Sequence, residues 1–362
     1  MVALCVGAGW QADLVQLTTR DLNRTLLARQ HLVARTTSPT HDMVEHLVGL
    51  QAQENLPPFL SLAARLEDFD PYAVTRGLED KSLARLVTLR GTIHLLTADD
   101  ALTLRQWTQP CQERERKASQ TVRPAMHIEG EEFTQALDKA LADGPLPMKQ
   151  LGEVLAASFP DAPPNALAHL ARVTQPLAQL PPRGAWKQSG GVVLQRVDRW
   201  LERPLLSPDP AAIVRRYLRA FGPASTADIG AWSGLTGMAS VVASMPDLVQ
   251  HTGPDGKALY DVADGVITAG ETPAPVRLLG TYDNVWLSHA ARDRVTDPVK
   301  RKSWMGTNGG MANTVFLDGM LEGLWRVEDG RPVVVELFRT LSVTEQRELD
   351  DELARVADLL FR

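Results

Sequence analysis

The stretch RLVTLRGTIHLLTADDA, from Arg85 to Ala101, carries the clearest structural signal in the sequence. A mainly apolar run ends at Leu89, the pair Arg90 and Gly91 can turn the chain, and β-branched residues continue from Thr92 to Thr97. This pattern predicts a small β-hairpin. The acids that follow favour a helix from about Ala101, because negative charge is stabilised at the N-terminus of a helix.

Short segments with apolar residues at three- and four-residue spacing precede the hairpin. This spacing predicts helices over Thr18–His31, Thr40–Leu50, Pro57–Leu66, Pro71–Glu79 and Ser82–Leu86. Several helices followed by one hairpin are typical of a winged-helix unit. We therefore predict such a unit over residues 15–125.

A repeated motif indicates that this unit is not the only one. ADGPLPMKQLG (142–152) and AFGPASTADIG (220–230) share the pattern A-x-G-P-x5-[L/I]-G. Each follows an amphipathic helix, Phe133–Leu141 or Ala211–Leu218, and each precedes helical and then strand-like sequence. This order predicts two further winged-helix units, over residues 126–205 and 206–272. The alternative is that Gly-Pro is simply a common connector between helices.

The composition changes again from Ala274 onward. Short strands with turns at Asp318–Gly319 and Asp329–Gly330 predict a small antiparallel sheet or barrel, and a charged helix over Ser342–Leu360 follows it. We assign residues 273–362 to a β-barrel-like domain. The predicted fold class is therefore α+β.

Composition and charge exclude several classes of protein. A chain of 362 residues with 44% hydrophobic content can form several packed domains. It contains neither an apolar run that could span a bilayer nor a signal peptide, so we expect a cytoplasmic protein without a membrane partner. Cys5 and Cys111 are too few for a disulfide scaffold or a paired-cysteine zinc site, and we expect free thiols. No phosphate-binding or metalloprotease motif is present.

The net charge of −6 argues against indiscriminate binding of polyanions, although two stretches are locally basic. Residues 183–219 contain eight Lys or Arg against three acids, and residues 292–302 contain five against two. Such runs are either solvated faces or contacts for phosphate groups.

The segment LVGLQAQENLPP, from Leu47 to Pro58, offers the most specific candidate for chemistry. Residues two apart on a helix point about 200° apart, so Gln51 and Gln53 could not share a site on a continuing helix. Pro57 disfavours helical geometry before it, and an extended backbone would place both amides on one face. Such amides could position a water molecule. The alternative is that they satisfy backbone groups left over at a helix end.

These residues carry a family resemblance. HLVGLQAQENLPPFLSLAARL (46–66), YLRAFGPASTADIGAWSGLTG (217–237) and VRLLGTYDNVWLSHAARDRV (276–295) resemble bacterial winged-helix DNA glycosylases of the AlkZ and YcaQ type. The resemblance runs from about Val15 to Phe361 and leaves residues 1–14 as an unmatched extension. It implies three tandem winged-helix units and a C-terminal β-barrel-like domain in a concave arrangement that embraces DNA.

The resemblance also implies an activity. The family's catalytic motif is Gln, an apolar residue, then Gln or Asp, and it falls on Gln51, Ala52 and Gln53. The form with a second Gln is similar to the azinomycin self-resistance branch, whereas the form with Asp is similar to the broader crosslink-repair branch. The implied function is a monofunctional glycosylase that hydrolyses the N-glycosidic bond of N7-alkylguanine, including guanine in interstrand crosslinks. The implied partner is double-stranded DNA carrying alkylated or crosslinked guanine, and the implied enzyme is monomeric, nucleoid-associated and free of metal and cofactor.

Candidates for DNA contact lie in the second basic stretch. We expect backbone contacts from Arg292, Arg294, Lys300, Arg301 and Lys302, and a minor-groove contact from Asn308. His94, in the predicted hairpin, is expected to be a packed, hydrogen-bonded histidine rather than a base. The competing hypothesis is a non-catalytic winged-helix regulator or a protein that sequesters a genotoxin. Three tandem units in one chain fit a symmetric dimeric regulator poorly.

Overall fold

The first part of the chain contains the predicted hairpin. The computed structural model describes residues 16–128, 130–304 and 312–362, and all of their side chains except those of 303 and 304. The elements before residue 108 are α1 Thr19–Arg29, α2 Thr40–His46, β1 Leu50–Gln51, α3 Pro57–Arg65, α4 Tyr72–Glu79, β2 Leu83–Val87, β3 Ile93–Thr97 and α5 Ala98–Trp107. The hairpin of β2 and β3, with its turn at Leu89–Gly91, is confirmed.

Two helix predictions need correction in this part. The segment Ser82–Leu86 is not a helix, because its apolar residues form β2 and pair with β3 from Leu83 opposite Thr97 onward. Helix α2 ends at His46 rather than at Leu50. Gly49 then has a φ of +92°, and a Cβ atom there would lie 2.3 Å from Cδ2 of Leu96. Only glycine allows the chain to turn at this point and come against β3.

The middle of the chain repeats one order of elements. Residues 109–261 contain α6 Gln109–Ala118, α7 Gly130–Ala140, β4 Leu146–Pro147, α8 Met148–Ala156, α9 Pro164–Thr174, β5 Leu177–Gln179, β6 Val193–Arg196, α10 Val197–Leu201, α11 Pro210–Phe221, α12 Thr226–Ser233, α13 Met238–Ala243, β7 Val249–Thr252 and β8 Ala258–Asp261. A helix, a short extended segment, two helices and two strands occur from α2, again from α7 and again from α11. In the third case the extended segment is a single bridge between Ala224 and Tyr260.

The two Gly-Pro motifs occupy equivalent positions in this order. Each pair ends a helix and leads into the extended segment, which pairs with the strands that follow it: Leu146 lies opposite Leu194, and Ala224 lies opposite Tyr260. The predicted helices before both motifs are confirmed as α7 and α11. The repeat in the sequence therefore corresponds to a repeat in local structure.

Sheet pairing joins the first two repeats. One six-stranded sheet has the order β1-β3-β2-β5-β6-β4, and its two halves meet where Leu86 pairs with Ala178. Strands β7 and β8 form a separate antiparallel pair. The second repeat nevertheless has its own hydrophobic core, whereas the first and third repeats share a core with the C-terminal region.

The C-terminal region contains an antiparallel sheet but no closed barrel among the residues described. Its elements are β9 Arg277–Leu279, α14 Asn284–Leu287, α15 Pro298–Trp304, β10 Asn313–Leu317, β11 Met320–Glu328, β12 Arg331–Leu337 and α16 Val343–Phe361. The turns at Asp318–Gly319 and Asp329–Gly330 are confirmed, with positive φ at both residues of each. The strand order is β12-β11-β10-β9, so β12 and β9 remain edges and the barrel expectation is not met.

Buried polar contacts fix the C-terminal region to the chain on both sides of β1. Arg65 on α3 and Asp283, which caps α14, form an ion pair of 2.8 Å in which both side chains are fully buried. The neighbouring Asn284 donates from Nδ2 to the carbonyl oxygen of Gly49 at 3.1 Å. These contacts hold the turn that leads into Gln51. Among the described helices, none is long and apolar enough to cross a membrane.

Candidate active site

Gln51 lies at the edge of the six-stranded sheet. It ends the two-residue strand β1, where it pairs with His94 of β3, and its side chain is only 7% exposed. The backbone ladder continues for one more residue, because the Ala52 amide donates to the Ile93 carbonyl oxygen at 2.7 Å. Helix α2 has ended at His46, so the condition for the two glutamines to share one face, that the helix does not continue through them, is met.

The chain leaves the sheet between Ala52 and Gln53. In a regular antiparallel ladder the Ile93 amide would donate to the Ala52 carbonyl oxygen. Instead it donates to Oε1 of Gln53 at 3.3 Å, and Nη2 of Arg85 donates to the Ala52 carbonyl oxygen at 2.8 Å. Gln53 is exposed. Gln51 therefore pairs through its backbone with His94, and Gln53 binds the preceding residue of β3, Ile93, through its side chain.

Arg90, at the turn of the hairpin, contacts Gln51 directly. Its Nη2 donates to Oε1 of Gln51 at 3.2 Å and lies 3.1 Å from Nε2 of His94. Its Nη1 donates to the carbonyl oxygen of Trp232 on α12. The sequence indicates only that Arg90 forms a turn, because nothing in the local pattern shows that its guanidinium contacts Gln51 on β1 and Trp232 on α12.

His94 is neutral and already fully bonded. Its Nδ1 lies 3.0 Å from the Thr92 carbonyl oxygen and must donate to it, so Nε2 carries the lone pair that accepts from Arg90. Burial, and then the charge of Arg90, lower the pKa of His94 to about 3. The histidine is therefore packed and hydrogen-bonded, as expected, and it orients Arg90 rather than accepting a proton.

The predicted basic residues fall into two groups. Arg294 is buried and donates to the Pro223 carbonyl oxygen at 3.3 Å, and Lys300 binds both carboxylate oxygens of Glu322 at 2.7 Å. Both side chains are therefore held by the protein. Lys302 is exposed and Arg301 is half-buried, and neither side chain makes an ion pair or hydrogen bond with the part of the chain that the structure describes. Asn308 lies outside the described residues.

Arg292 affects the charge of Arg90, the residue that binds Gln51. It is half-buried and donates from Nε to the Trp286 carbonyl oxygen at 2.8 Å. Burial, and then the charge of Arg301, lower its pKa. Burial lowers the pKa of Arg90 to about 10, Cys111 acts in the opposite direction, and Arg292 lowers it further. The guanidinium group of Arg292 thus lies close enough to those of Arg90 and Arg301 for the charges to repel.

The first basic stretch is largely neutralised by carboxylates elsewhere in the fold. Six of its arginines form ion pairs: Arg196, Arg199, Arg203, Arg215, Arg216 and Arg219. These residues stabilise contacts between segments and leave little free positive charge. Within the described residues, no group of three His, Cys, Asp or Glu side chains could hold a metal ion. Cys111 is a buried free thiol, and Cys5 lies outside the described residues.

Comparison with known proteins identifies the family. The sequence profile of the family described as DNA glycosylase AlkZ-like matches residues 44–359. This chain belongs to the AlkZ-like DNA glycosylase family. The match includes both glutamines, Arg90 and the whole of α15. The resemblance drawn from the sequence is confirmed.

Two comparisons with a Streptomyces protein extend over nearly the whole chain. The chain is 28% identical over 361 residues to the interstrand DNA cross-link repair glycosylase of Streptomyces sahachiroi, covering 91% of this chain and 93% of that protein. Its structure is similar to that of the Streptomyces sahachiroi DNA glycosylase AlkZ, with a TM-score of 0.76 at 20% sequence identity. That likeness covers 96% of this chain and 98% of the other. It shows that this chain has the mixed α and β fold of an AlkZ-like glycosylase.

Proposed function

We propose that this AlkZ-like glycosylase hydrolyses the N-glycosidic bond of N7-alkylguanine in double-stranded DNA, including guanine held in an interstrand crosslink, and that Gln51 and Gln53 are its catalytic residues. The observation that carries the proposal is that Arg90 binds Oε1 of Gln51 and the Ile93 amide binds Oε1 of Gln53, so both amides are held where the chain leaves the sheet, with Gln53 exposed. The name of the Streptomyces relative supports crosslink repair as the role.

The weakness of glutamine as a catalyst suits this substrate. An N7-alkylated guanine already carries a positive charge, so the electron pair of the C1′–N9 bond passes to the purine without a general acid. The sugar becomes oxocarbenium-like, and the remaining task is to place a water molecule at C1′. Amide dipoles aimed at the reacting centre each contribute about 2 to 4 kcal/mol in comparable sites. Neutral amides therefore restrict the enzyme to adducts that leave readily.

An open site is compatible with a crosslinked base. A base that is covalently attached to the opposite strand cannot be extruded freely into a closed pocket. The exposure of Gln53 supports access from a groove of the duplex. We further propose that the three repeats are winged-helix units with the boundaries predicted above, arranged around DNA, and that the enzyme acts as a monomer associated with the nucleoid.

Contacts to the DNA backbone would come from the basic segment beside the glutamines. Arg301 and Lys302 have the free charge that phosphate contacts require, and Arg292 lies close enough to both Arg301 and Arg90 for their charges to interact. Arg294 and Lys300 are less suited, because both are already held by protein groups. Asn308 remains the candidate for a minor-groove contact.

The test is incubation with a duplex that contains a single N7-methylguanine, followed by alkaline cleavage at abasic sites. We expect a strand break at the adduct only after the alkaline step, because a monofunctional glycosylase leaves the backbone intact. A nick before alkali would contradict the monofunctional mechanism. Absence of abasic sites with the wild-type protein would exclude the proposed activity. A duplex crosslinked by a bis-electrophile such as azinomycin then tests unhooking directly on a denaturing gel.

A further inference from the structure

The carbonyl oxygens of both glutamines face the protein. Oε1 of Gln51 accepts from Nη2 of Arg90 at 3.2 Å, and Oε1 of Gln53 accepts from the backbone amide of Ile93 at 3.3 Å. A guanidinium and a backbone N–H can only donate. The atom that meets each of them must therefore be the amide oxygen, which fixes the orientation of both side-chain amides.

The donor ends of the two amides remain available. Within the described residues, Nε2 of Gln51 donates to no protein group, and it is not among the fully buried polar atoms that lack a partner. The Nε2 group of Gln53 belongs to an exposed side chain and also has no protein acceptor there. The site thus offers N–H donors to whatever lies against it.

The hydrogen bonds of the Arg90 guanidinium hold the Gln51 amide in this orientation. One guanidinium nitrogen donates to the Trp232 carbonyl oxygen, while the other is shared between Gln51 and the lone pair of His94. The backbone of Arg90 packs closely against Gly234, the residue that ends α12, where a Cβ atom would lie 2.9 Å from Cα of Arg90. A planar guanidinium can serve three acceptors at fixed angles, which a lysine ammonium on a flexible stem cannot do.

We propose that Arg90 is the positioning residue of the active site: it binds the carbonyl oxygen of Gln51 and so turns the Nε2 donor of Gln51 towards an acceptor at the reacting centre. This inference rests on the proposed glycosylase function. A donor is the useful group there, because it can hold the oxygen of the attacking water through one lone pair and leave the other for C1′. It can equally bind a purine nitrogen that gains electron density as the C1′–N9 bond breaks.

A double-mutant cycle measures whether Arg90 acts through Gln51. The assay is single-turnover formation of abasic sites at N7-methylguanine under saturating enzyme. We expect Arg90→Met to lower the rate constant on the order of tenfold or more in the wild-type background. In the Gln51→Ala background the same substitution should change the rate less than about twofold, because there is no amide left to orient. Equal losses in both backgrounds would overturn the proposal, since a structural defect is additive.

Arg105 provides the matched control. It is also a buried arginine whose pKa burial lowers to about 10, but its guanidinium binds Gln109 and the Val173 carbonyl oxygen rather than a glutamine of the site. Any loss caused by Arg105→Met should therefore be the same with and without Gln51. Binding of undamaged duplex, measured alongside, should be unchanged by Arg90→Met.

A second variant tests the donor directly and does not depend on the folding of Arg90→Met. Gln51→Glu keeps the shape of the side chain and gives Arg90 a stronger acceptor, but it removes the N–H donor. We expect a loss as large as that of Gln51→Ala, and full activity of Gln51→Glu would overturn the inferred orientation. If the wild type forms no abasic sites, the proposed function itself fails. If the wild type is active but the effects of Arg90→Met and Gln51→Ala on the rate constant are additive, only the positioning role of Arg90 is excluded.

Discussion

Replacement of Asp283 by asparagine should be among the most destabilising single changes in the C-terminal region. Asp283 lies 2.8 Å from both terminal nitrogens of Arg65, and both side chains are fully buried. Asparagine can still cap α14 through its side-chain oxygen, so the change removes mainly the charge. Arg65 would keep Gln30 and the Ser61 carbonyl oxygen as acceptors but would be a buried, uncompensated cation.

The expected cost is about 3 to 5 kcal/mol in the free energy of unfolding, the range for removal of one partner from a buried ion pair. Urea unfolding followed by circular dichroism measures it. The matched control is Arg326→Gln, which breaks an exposed pair with Glu328 of 3.0 Å and should cost less than about 1 kcal/mol. A cost for Asp283→Asn as small as that of the control would refute the argument that burial decides the strength of this pair.

The pH dependence of the same pair gives an independent check. Burial raises the pKa of Asp283, but Arg65 and the hydrogen bonds outweigh this effect and hold the pKa below its ordinary value. A carboxyl group with a lowered folded-state pKa stabilises the fold above its unfolded pKa of about 3.9. That contribution is lost as the pH falls through the folded-state pKa. The stability difference between wild type and Asp283→Asn should therefore be full at neutral pH and shrink below about pH 4.

Three further outcomes are expected. Gln53→Asp should retain glycosylase activity in the alkaline-cleavage assay, because a carboxylate can accept from the Ile93 amide and form the alternative family motif; complete inactivity would count against a shared role in placing water. Lys302→Gln should reduce the slope of log K for duplex binding against log salt by about 1, while Arg326→Gln leaves it unchanged. The rate constant for base release should show no inflection near pH 6.5 from His94, whose pKa is about 3; an inflection that His94→Gln abolishes would contradict its neutral, bonded state.

The sequence predicted the elements whose patterns have one interpretation. The hairpin around Arg90 and Gly91 combines a turn signal with β-branched residues, and the Gly-Pro motifs mark the ends of α7 and α11. Each of these signals depends only on neighbouring residues, so distant contacts do not change the element that it predicts. The helix prediction for Ser82–Leu86 was wrong because a short apolar run fits a helix or a buried strand equally well. Only its pairing with β3, which is not a local signal, decides between them.

The barrel and the site were harder to predict because both depend on distant contacts. Closure of a barrel requires the edge strands β9 and β12 to meet, and no pattern within a strand specifies that. The sequence predicts the glutamines as catalytic residues from their spacing and from the family resemblance. The sequence does not indicate Arg90 as a site residue, because its bonds to Gln51 on β1 and to Trp232 on α12 join segments that are distant in the chain.

The most direct test of catalysis by the glutamines is the single-turnover rate constant for release of N7-methylguanine from duplex DNA by the wild type and by Gln51→Ala. A loss of about 2 to 4 kcal/mol in transition-state stabilisation corresponds to a rate about 30-fold to several hundred-fold lower. We expect Gln51→Ala to lower the rate constant by at least about 30-fold, with binding of undamaged duplex unchanged. Equal rate constants for the two proteins would show that base release does not depend on Gln51.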